Sequence, residues 1–327
     1  MKKKALILGI TGQGGSYLSE LLLSKDYEIY GLIRRVAHQN QNIRLDRISH
    51  ILNDITLIPG SLESLQSLYK AISMAKPDEC YHLAAQSDVK ESFDDEFSTM
   101  QTNVQGTHNI LSVIKDIVPE CKFLFAASSE MFGEVTEAPQ DENTPFNPQS
   151  PYAISKAAGL HLTKFYRKRH KLFACNGIFF NHESSRRGLE FVTRKIARAA
   201  AEIALGKSDL LHLGNVSARR DWGHTPDYMR AAWLMLQYPK PDDYVIATGE
   251  THTVAEFAKE AFNVVNLDWT KHTIVNNRNM MRPTDVRLLR GNPGKAKKVL
   301  NWEAKVKFEE LVKIMVEAEL VDIRSNR

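Results

Sequence analysis

The chain has 327 residues, of which 43% are hydrophobic and 25% charged, and 43 Lys and Arg against 39 Asp and Glu leave a formal net charge of +4. The length excludes a single small module, the composition excludes a disordered chain, and so mild a basic excess favours an anionic small molecule over nucleic acid or a membrane surface. The three cysteines lack metal-ligand spacing and no apolar stretch approaches the ~20 residues of a membrane span, so we expect a soluble, cytoplasmic protein without a metal site.

Short apolar runs alternate along the chain with longer segments whose apolar residues recur at helical spacing. The runs that predict strands are Ala5–Leu8, Glu28–Ile33, Ile55–Ile58, Glu79–Leu83, Phe123–Ala126 and Phe173–Phe180. The segments that predict helices are Ser16–Ser24, Ser64–Ala75, Thr99–Ile117 and Ala153–His170. This alternation predicts an α/β fold with a doubly wound parallel sheet of the Rossmann type.

The pattern changes after about residue 180. Arg-rich loops follow, and helices are predicted near Phe191–Leu205 and Phe308–Leu320. A strand at Tyr244–Ala247 is expected to return to the sheet. We therefore predict a Rossmann domain over residues 1–180, completed by the strand near 244–247, and a smaller C-terminal α/β domain formed mainly by residues 181–327.

Three glycines, Gly9, Gly12 and Gly15, follow the first strand directly and open the first helix. Glycine permits a tight turn and a close approach of the backbone to a pyrophosphate, and a helix N-terminus favours an anion. The position of the motif favours dinucleotide binding. The alternative is that the glycines only close a strand-to-helix turn.

The second strand runs into Arg34 and Arg35, where an NAD enzyme usually carries an acidic residue for the ribose diol. Two guanidinium groups suit a 2′-phosphate, which they can bind bidentately. The pair therefore predicts NADP as the cofactor. The alternative is a solvated basic loop.

Tyr152 and Lys156 lie four positions apart at the start of a predicted helix, so both project from one face. The charge of Lys156 is expected to lower the pKa of Tyr152, which could then act as general base toward a substrate hydroxyl as hydride leaves for nicotinamide. Tyr-xxx-Lys is a weak pattern alone, and the upstream glycine motif strengthens it.

Ser128 and Glu130 follow the fifth strand at the carboxyl edge of the sheet, where ligands of open α/β folds bind. Ser128 could hydrogen-bond the hydroxyl that Tyr152 deprotonates. Glu130 adds a proton-transfer group that a simple alcohol dehydrogenase does not need, and so points to elimination. The alternative is that the serines satisfy backbone groups at a strand end and Glu130 is solvated.

These residues belong to longer strings that resemble one family along nearly the whole chain. The strings are Gly9–Leu18, Arg34–Arg35, Leu83–Ser87, Ser128–Glu130, Ser150–Ala153, Phe173–Gly177, Asn181–Ser184, Phe191–Lys195, Arg220–His224, Ala247–His252 and Arg282–Pro283. They resemble the extended short-chain dehydrogenase/reductase family, and more closely its GDP-mannose 4,6-dehydratases.

The resemblance implies an internal redox dehydration of a GDP-activated mannose-type sugar by a homodimer or homotetramer, with NADP bound by the first domain and the GDP-sugar by the second. Tyr152 would be the base for oxidation at C4, and Glu130 would remove the C5 proton and help to expel the C6 hydroxyl. The residues implied for the cofactor are Gly9, Thr11, Gly12, Gln13, Gly15, Arg34, Arg35, Leu83, Ala84, Ala85, Tyr152 and Lys156. The residues implied for the substrate are Ser87, Asn181, Lys195, Arg220 and Arg282, with the cations facing the diphosphate.

Other assignments stay open at this point. They are a dehydratase of a GDP-heptose, a GDP-4-keto-6-deoxymannose reductase, which Glu130 disfavours, and an NADP-binding module without turnover. The chain departs from the family pattern at Gly14, Ser61, Asp88 and Ser128, where the family usually has Asp, Asp, His and Thr. Surface solubilisation is the alternative for Arg186, Arg187, Arg194 and Arg219.

Overall fold

The structure is a computed structural model, and it describes residues 2–34, 45–135, 137–275 and 286–325. Its strands are β1 (Lys4–Leu8), β2 (Glu28–Ile33), β3 (Ile55–Pro59), β4 (Glu79–His82), β5 (Lys122–Ser128), β6 (Ala174–Phe179), β7 (Asn181–Glu183), β8 (Leu211–His212), β9 (Arg219–Arg220), β10 (Trp222–His224), β11 (Asp243–Ile246), β12 (His252–Thr253) and β13 (Thr273–Ile274). Seven of them form one parallel sheet in the order β11-β6-β5-β4-β1-β2-β3. The predicted Rossmann-type fold class is confirmed.

Helices surround the sheet and form much of the second half of the chain. They are α1 (Gln13–Leu23), α2 (Leu65–Ala75), α3 (Glu91–Asp94), α4 (Glu96–Met100), α5 (Gly106–Ile117), α6 (Pro151–His170), α7 (Val192–Ala204), α8 (Thr225–Gln237), α9 (Val254–Val264), α10 (Gly294–Leu300) and α11 (Phe308–Ser325). Short 3₁₀ segments lie at Asp46–Asp54, Ser129–Met131 and Trp269–Lys271. The predicted helix Thr99–Ile117 is really α4 and α5 joined by a π-helical turn over Gln101–Gln105.

The centre of the sheet is apolar on both faces. In β1 the run Ala5–Leu8 is fully buried, as expected for a strand covered by helices on both sides. Connections from β1 lead outward through β2 to β3, while β4 begins the opposite half of the sheet. The strand order therefore reverses between β1 and β4, because successive strands are added on one side of β1 up to β3 and on its other side from β4 onward. Ligands of such sheets bind at the carboxyl ends of the strands beside this switch point.

Two hydrophobic cores hold the chain together. The larger one surrounds the sheet and includes β11, which returns to pair with β6. The smaller one lies between α7, α9 and α11, where Ile196, Trp222, Phe257 and Leu311 pack together. Within the described part of the chain, no helix has the length and apolar character needed to cross a bilayer.

Candidate active site

A cavity of about 1200 Å³ opens at the carboxyl ends of the central strands. One wall comes from the loops after β1, β2, β3, β4 and β5 and from the start of α6, and the opposite wall from the segment that includes β7 and β9. The cavity is thus bounded by residues from both halves of the chain. Its size suits a ligand larger than a simple metabolite.

Two glycines of the turn from β1 into α1, Gly9 and Gly15, leave no room for a Cβ. Gly9 has a φ of 90°, and a Cβ there would lie 2.8 Å from the backbone nitrogen of Ala84; a Cβ on Gly15 would lie 2.2 Å from the carbonyl oxygen of Gly9. Gly12 opens α1 without a side-chain cap. The backbone of this turn, Thr11 included, therefore faces the cavity directly, beside the loop that contains Ala84.

The sequence does not reveal that Gln13 connects the two walls. Its Nε2 donates to the carbonyl oxygen of His182 at 3.0 Å, and its Oε1 accepts from Ser184 Oγ at 2.7 Å. The amide is therefore engaged by the segment after β6, and Gln13 can serve a phosphate through its backbone at the start of α1.

The adenosine end of the predicted cofactor site contains a carboxylate that sequence reasoning missed. Arg34 lines the cavity after β2, and its Nη2 lies 3.8 Å from Oε1 of Glu63 in the loop after β3. Thr102 donates to the same oxygen at 2.6 Å and helps to fix it. Arg35, predicted as the second phosphate ligand, lies outside the described residues.

The four predicted catalytic residues converge on the cavity. Ser128 ends β5 and accepts a hydrogen bond from the Glu130 amide at 3.2 Å, while Tyr152 and Lys156 lie on the first turns of α6. Lys156 is 4% exposed, and its Nζ donates to the Ala126 carbonyl oxygen at 2.8 Å. Ser128 satisfies a backbone amide, as one alternative expects, and it also lines the cavity together with Glu130.

The expected effect of Lys156 on Tyr152 is wrong in direction. Burial raises the pKa of Tyr152 to about 12, although hydrogen bonding with Ser128 and the charge of Arg187 oppose this, and the Glu130 carboxylate adds to it. Burial also lowers the pKa of Lys156 to about 7. Lys156 is not among the causes of the Tyr152 shift, and burial is the largest cause for both groups, because desolvation disfavours the charged form of each.

The π-helical turn between α4 and α5 braces this cluster through Asn103. Its Oδ1 accepts from the Gln86 amide at 2.9 Å, and its Nδ2 donates to the Gln86 carbonyl oxygen at 3.0 Å and to Ser155 Oγ at 2.9 Å. Asn103 thus joins the loop after β4, with Leu83 and Ala85, to the helix that carries Lys156. Such turns often mark functional sites.

The predicted substrate residues are only partly gathered here. Ser87 and Asn181 line the cavity, as does Arg220, whose Nη1 donates to the carbonyl oxygens of Arg219 and Val286. Lys195 is not among the residues that line it in the described part of the chain; it lies on α7, and partial burial lowers its pKa. Arg282 lies outside the described residues.

Arg187 is the cavity residue that the sequence analysis left as a surface group. Its side chain is 18% exposed, its Nε lies 3.2 Å from Oε2 of the buried Glu183, and its guanidinium carbon lies 3.5 Å from the centre of the Phe191 ring. The only signal was its position three residues after the Asn181–Ser184 string, in the loop that follows β7. Arg186, Arg194 and Arg219 contact Glu20, Glu319 and Thr251.

Comparison with solved structures identifies the fold. A dTDP-glucose 4,6-dehydratase from Bacillus anthracis in complex with NAD aligns with a TM-score of 0.84 at 21% identity, over 98% of each chain. The structure of RMD from Pseudomonas aeruginosa complexed with NADPH aligns with a TM-score of 0.81 at 22% identity, over 98% of this chain and 100% of the other. At such identities the likeness shows the fold alone.

Sequence comparison identifies the family. GDP-mannose 4,6 dehydratase 1 of Arabidopsis thaliana is 48% identical over 331 residues, which cover 98% of this chain and 90% of the relative. The family model described as GDP-mannose 4,6 dehydratase matches residues 6–315. This agreement over nearly the whole length means that the chain belongs to the GDP-mannose 4,6-dehydratase family.

Proposed function

We propose that this chain converts GDP-mannose to GDP-4-keto-6-deoxymannose and water, as a hydro-lyase that uses NADP without consuming it. One observation carries the proposal beyond family membership: a carboxylate, Glu130, lines the same cavity as Tyr152 and Lys156. A dehydrogenase needs the Tyr-Lys pair, whereas elimination of water also needs a group that moves the C5 proton.

The residues around the glycine loop fit a nicotinamide dinucleotide. Gly9 and Gly15 leave no room for a Cβ, and the N-terminus of α1, where an anion is favoured, lines the cavity. A bound nicotinamide would supply a hydride acceptor for C4 and then a hydride donor for C6. Lys156, buried beneath this region, suits the ribose hydroxyls of the cofactor.

Arg34 supports NADP over NAD. Its guanidinium faces the cavity after β2, at the point where the ribose diol of the adenosine half would lie. A permanently charged planar fork suits a 2′-phosphate better than a diol. The carboxylate of Glu63 is paired with Arg34 and could orient it.

The protein side chains carry the proton transfers. Tyr152 takes the proton of the C4 hydroxyl as its phenolate, a form that the Arg187 charge favours against the burial that raises its pKa, and Ser128, which lines the same cavity, orients that hydroxyl. The C4 ketone then acidifies the C5 proton. Glu130 removes this proton and gives one to the departing C6 hydroxyl, which leaves as water. C5 regains a proton when C6 receives hydride, and the proton that Tyr152 took from the C4 hydroxyl balances this uptake.

The two halves of the chain divide the ligands between them. Residues 1–180 together with β11 would hold the cofactor, and residues 181–327 mainly the GDP-sugar. Asn181, Arg187 and Arg220 face the cavity from the second half and bring two cations toward a diphosphate. We propose a cytoplasmic enzyme, because Cys80, Cys121 and Cys175 are free and buried.

Mass spectrometry of the product from a panel of GDP-sugars tests the function. We expect GDP-mannose to yield a product lighter by one water with no net change in nicotinamide absorbance, and enzyme stripped of cofactor to recover more activity with NADP than with NAD. NADPH that accumulates in step with substrate would indicate a plain dehydrogenase. Preference for a GDP-heptose would reassign the sugar, and no turnover on any GDP-sugar would contradict an enzyme of this class.

A further inference from the structure

Phe125 lies on β5 directly beneath the catalytic helix. Its ring is buried, and its centre lies 5.0 Å from Nζ of Lys156. Gly159, three positions after Lys156 on α6, provides the space for the ring: a Cβ at this position would lie 2.4 Å from Cζ of Phe125 and 3.0 Å from both Cε atoms. A larger residue at 159 could not coexist with the ring in this position, so the ring or the helix would have to move.

Lys156 needs compensation for its burial. An ammonium has three N–H donors, and Nζ makes one hydrogen bond within the described residues, to the Ala126 carbonyl oxygen. Among those residues, no carboxylate contributes to its electrostatics. An aromatic face within about 6 Å attracts a cation, and more strongly so when water is excluded. The Phe125 ring meets both conditions.

The ionisable groups around Lys156 do not replace this contact. His82 on β4 is the cross-strand partner of Phe125, with ring centres 5.6 Å apart, and burial and the Lys156 charge lower its pKa to about 3, so it is neutral. Tyr152, on the same helix as Lys156, has its ring centre 5.9 Å from Nζ. Glu130 and Arg187 face Tyr152.

We propose that Phe125 is a positioning residue of the active site: its ring stabilises the ammonium form of Lys156 and holds Nζ beside the Ala126 carbonyl, and Gly159 is required to admit the ring. The inference rests on the proposed function for its consequence in catalysis. The stabilisation of the ammonium form of Lys156 is a property of the protein without substrate, and it is tested in that state.

The sharpest test changes the ring's electrostatics at nearly constant shape. 3,5-Difluorophenylalanine introduced at position 125 weakens the negative face and leaves the hydrogen on Cζ, which faces Gly159. Carbon-13 NMR of ε-labelled lysines follows the titration of Lys156, whose resonance is identified by its loss in Lys156→Met. We expect the pKa of Lys156 to fall by about 0.5 pH unit. An unchanged pKa would overturn the proposal.

A second pair of variants separates the ring from general packing. Phe125→Leu should lower the pKa of Lys156 by about 1 pH unit and move the alkaline limb of kcat/KM to lower pH. Phe123→Leu, on the same strand and equally buried, is the matched control and should lose stability without either shift. Identical pH behaviour of the two variants would mean that Phe125 acts only through packing in the core and would overturn the proposal. Because the NMR titration needs no substrate, it gives a result even if the dehydratase assay fails.

Discussion

Glu130 and Tyr152 share one cavity, but the proposed chemistry uses them at different steps. Glu130→Gln removes the base for C5 while keeping the side-chain shape, so dehydration should fall by about 10²- to 10⁴-fold, the range typical of a lost general acid–base group. Oxidation at C4 should persist and appear as nicotinamide absorbance in single-turnover experiments. Tyr152→Phe should suppress both steps, because C4 oxidation comes first.

Glu134→Gln is the control for this comparison. Glu134 is an exposed carboxylate four positions after Glu130 and should tolerate the change without effect on either step. Should Glu130→Gln and Tyr152→Phe abolish C4 oxidation equally, Glu130 would have no separate part in elimination.

At the residue scale, the sequence revealed those groups whose partners are close along the chain. Tyr152 and Lys156 are one helical turn apart, and Ser128 and Glu130 share a strand end, so short spacings were sufficient. Gln13 bonds to residues about 170 positions away, and no local pattern announces such a contact. The predicted direction of the Tyr152 pKa shift was wrong for a related reason. Burial is the largest cause of this shift, and burial is a property of the fold.

At the element scale, the strands were easier to predict than the later helices. Strands buried on both faces read as continuous apolar runs, as in β1. The helix α8 was not predicted: it begins without a side-chain cap, and its buried residues include Thr225 and Asp227 as well as Met229, which blurs the apolar stripe. The π-helical turn gave no signal either, because Thr102 and Asn103 hold it through contacts with distant loops.

The N-terminal cap of α6 should matter for catalysis as well as for stability. Ser150 Oγ accepts a hydrogen bond from the Ala153 amide at 3.1 Å, and Tyr152 lies between these two residues. Ser150→Ala should lower the free energy of unfolding by about 1 kcal/mol. It should also reduce kcat by about tenfold, since small displacements of a catalytic group are costly. Urea unfolding and initial rates measure the two effects.

Ser64 offers a matched cap on a helix remote from the chemistry. Its Oγ accepts from the Ser67 amide at 3.3 Å at the start of α2. Ser64→Ala should cost similar stability and leave kcat unchanged. A parallel loss of kcat in both variants would mean that the activity follows global stability, not the placement of Tyr152.

At the scale of the whole molecule, the alternation of strands and helices was sufficient to predict the fold class. It did not predict the contacts between the two halves of the chain. The walls of the cavity are joined by Gln13 to His182 and Ser184, and by the ion pair of Arg186 with Glu20 at 2.6 Å. Each of these contacts links the first helix to the segment after β6. Their pairing depends on the sheet order, which places β1 and β6 on opposite sides of β4 and β5.

The outer face of α6 is where we expect two copies to meet, if the chain forms the homodimer or homotetramer that the family resemblance implies. Ile154 and Phe165 are 46% and 53% exposed, and their separation of eleven positions brings them to within about 20° of each other around the helix. Phe97 on the adjoining α4 is 83% exposed. Exposed apolar side chains grouped in this way mark protein interfaces.

Phe165→Asp would place an unpaired charge on this face of α6 and should weaken association by at least ~100-fold, equivalent to about 3 kcal/mol. Light scattering after size exclusion should then report a monomer, whereas Val321→Asp on α11, at a residue 63% exposed, should keep the parental mass. A wild-type monomer, or an unchanged mass for Phe165→Asp, would exclude this face as the interface.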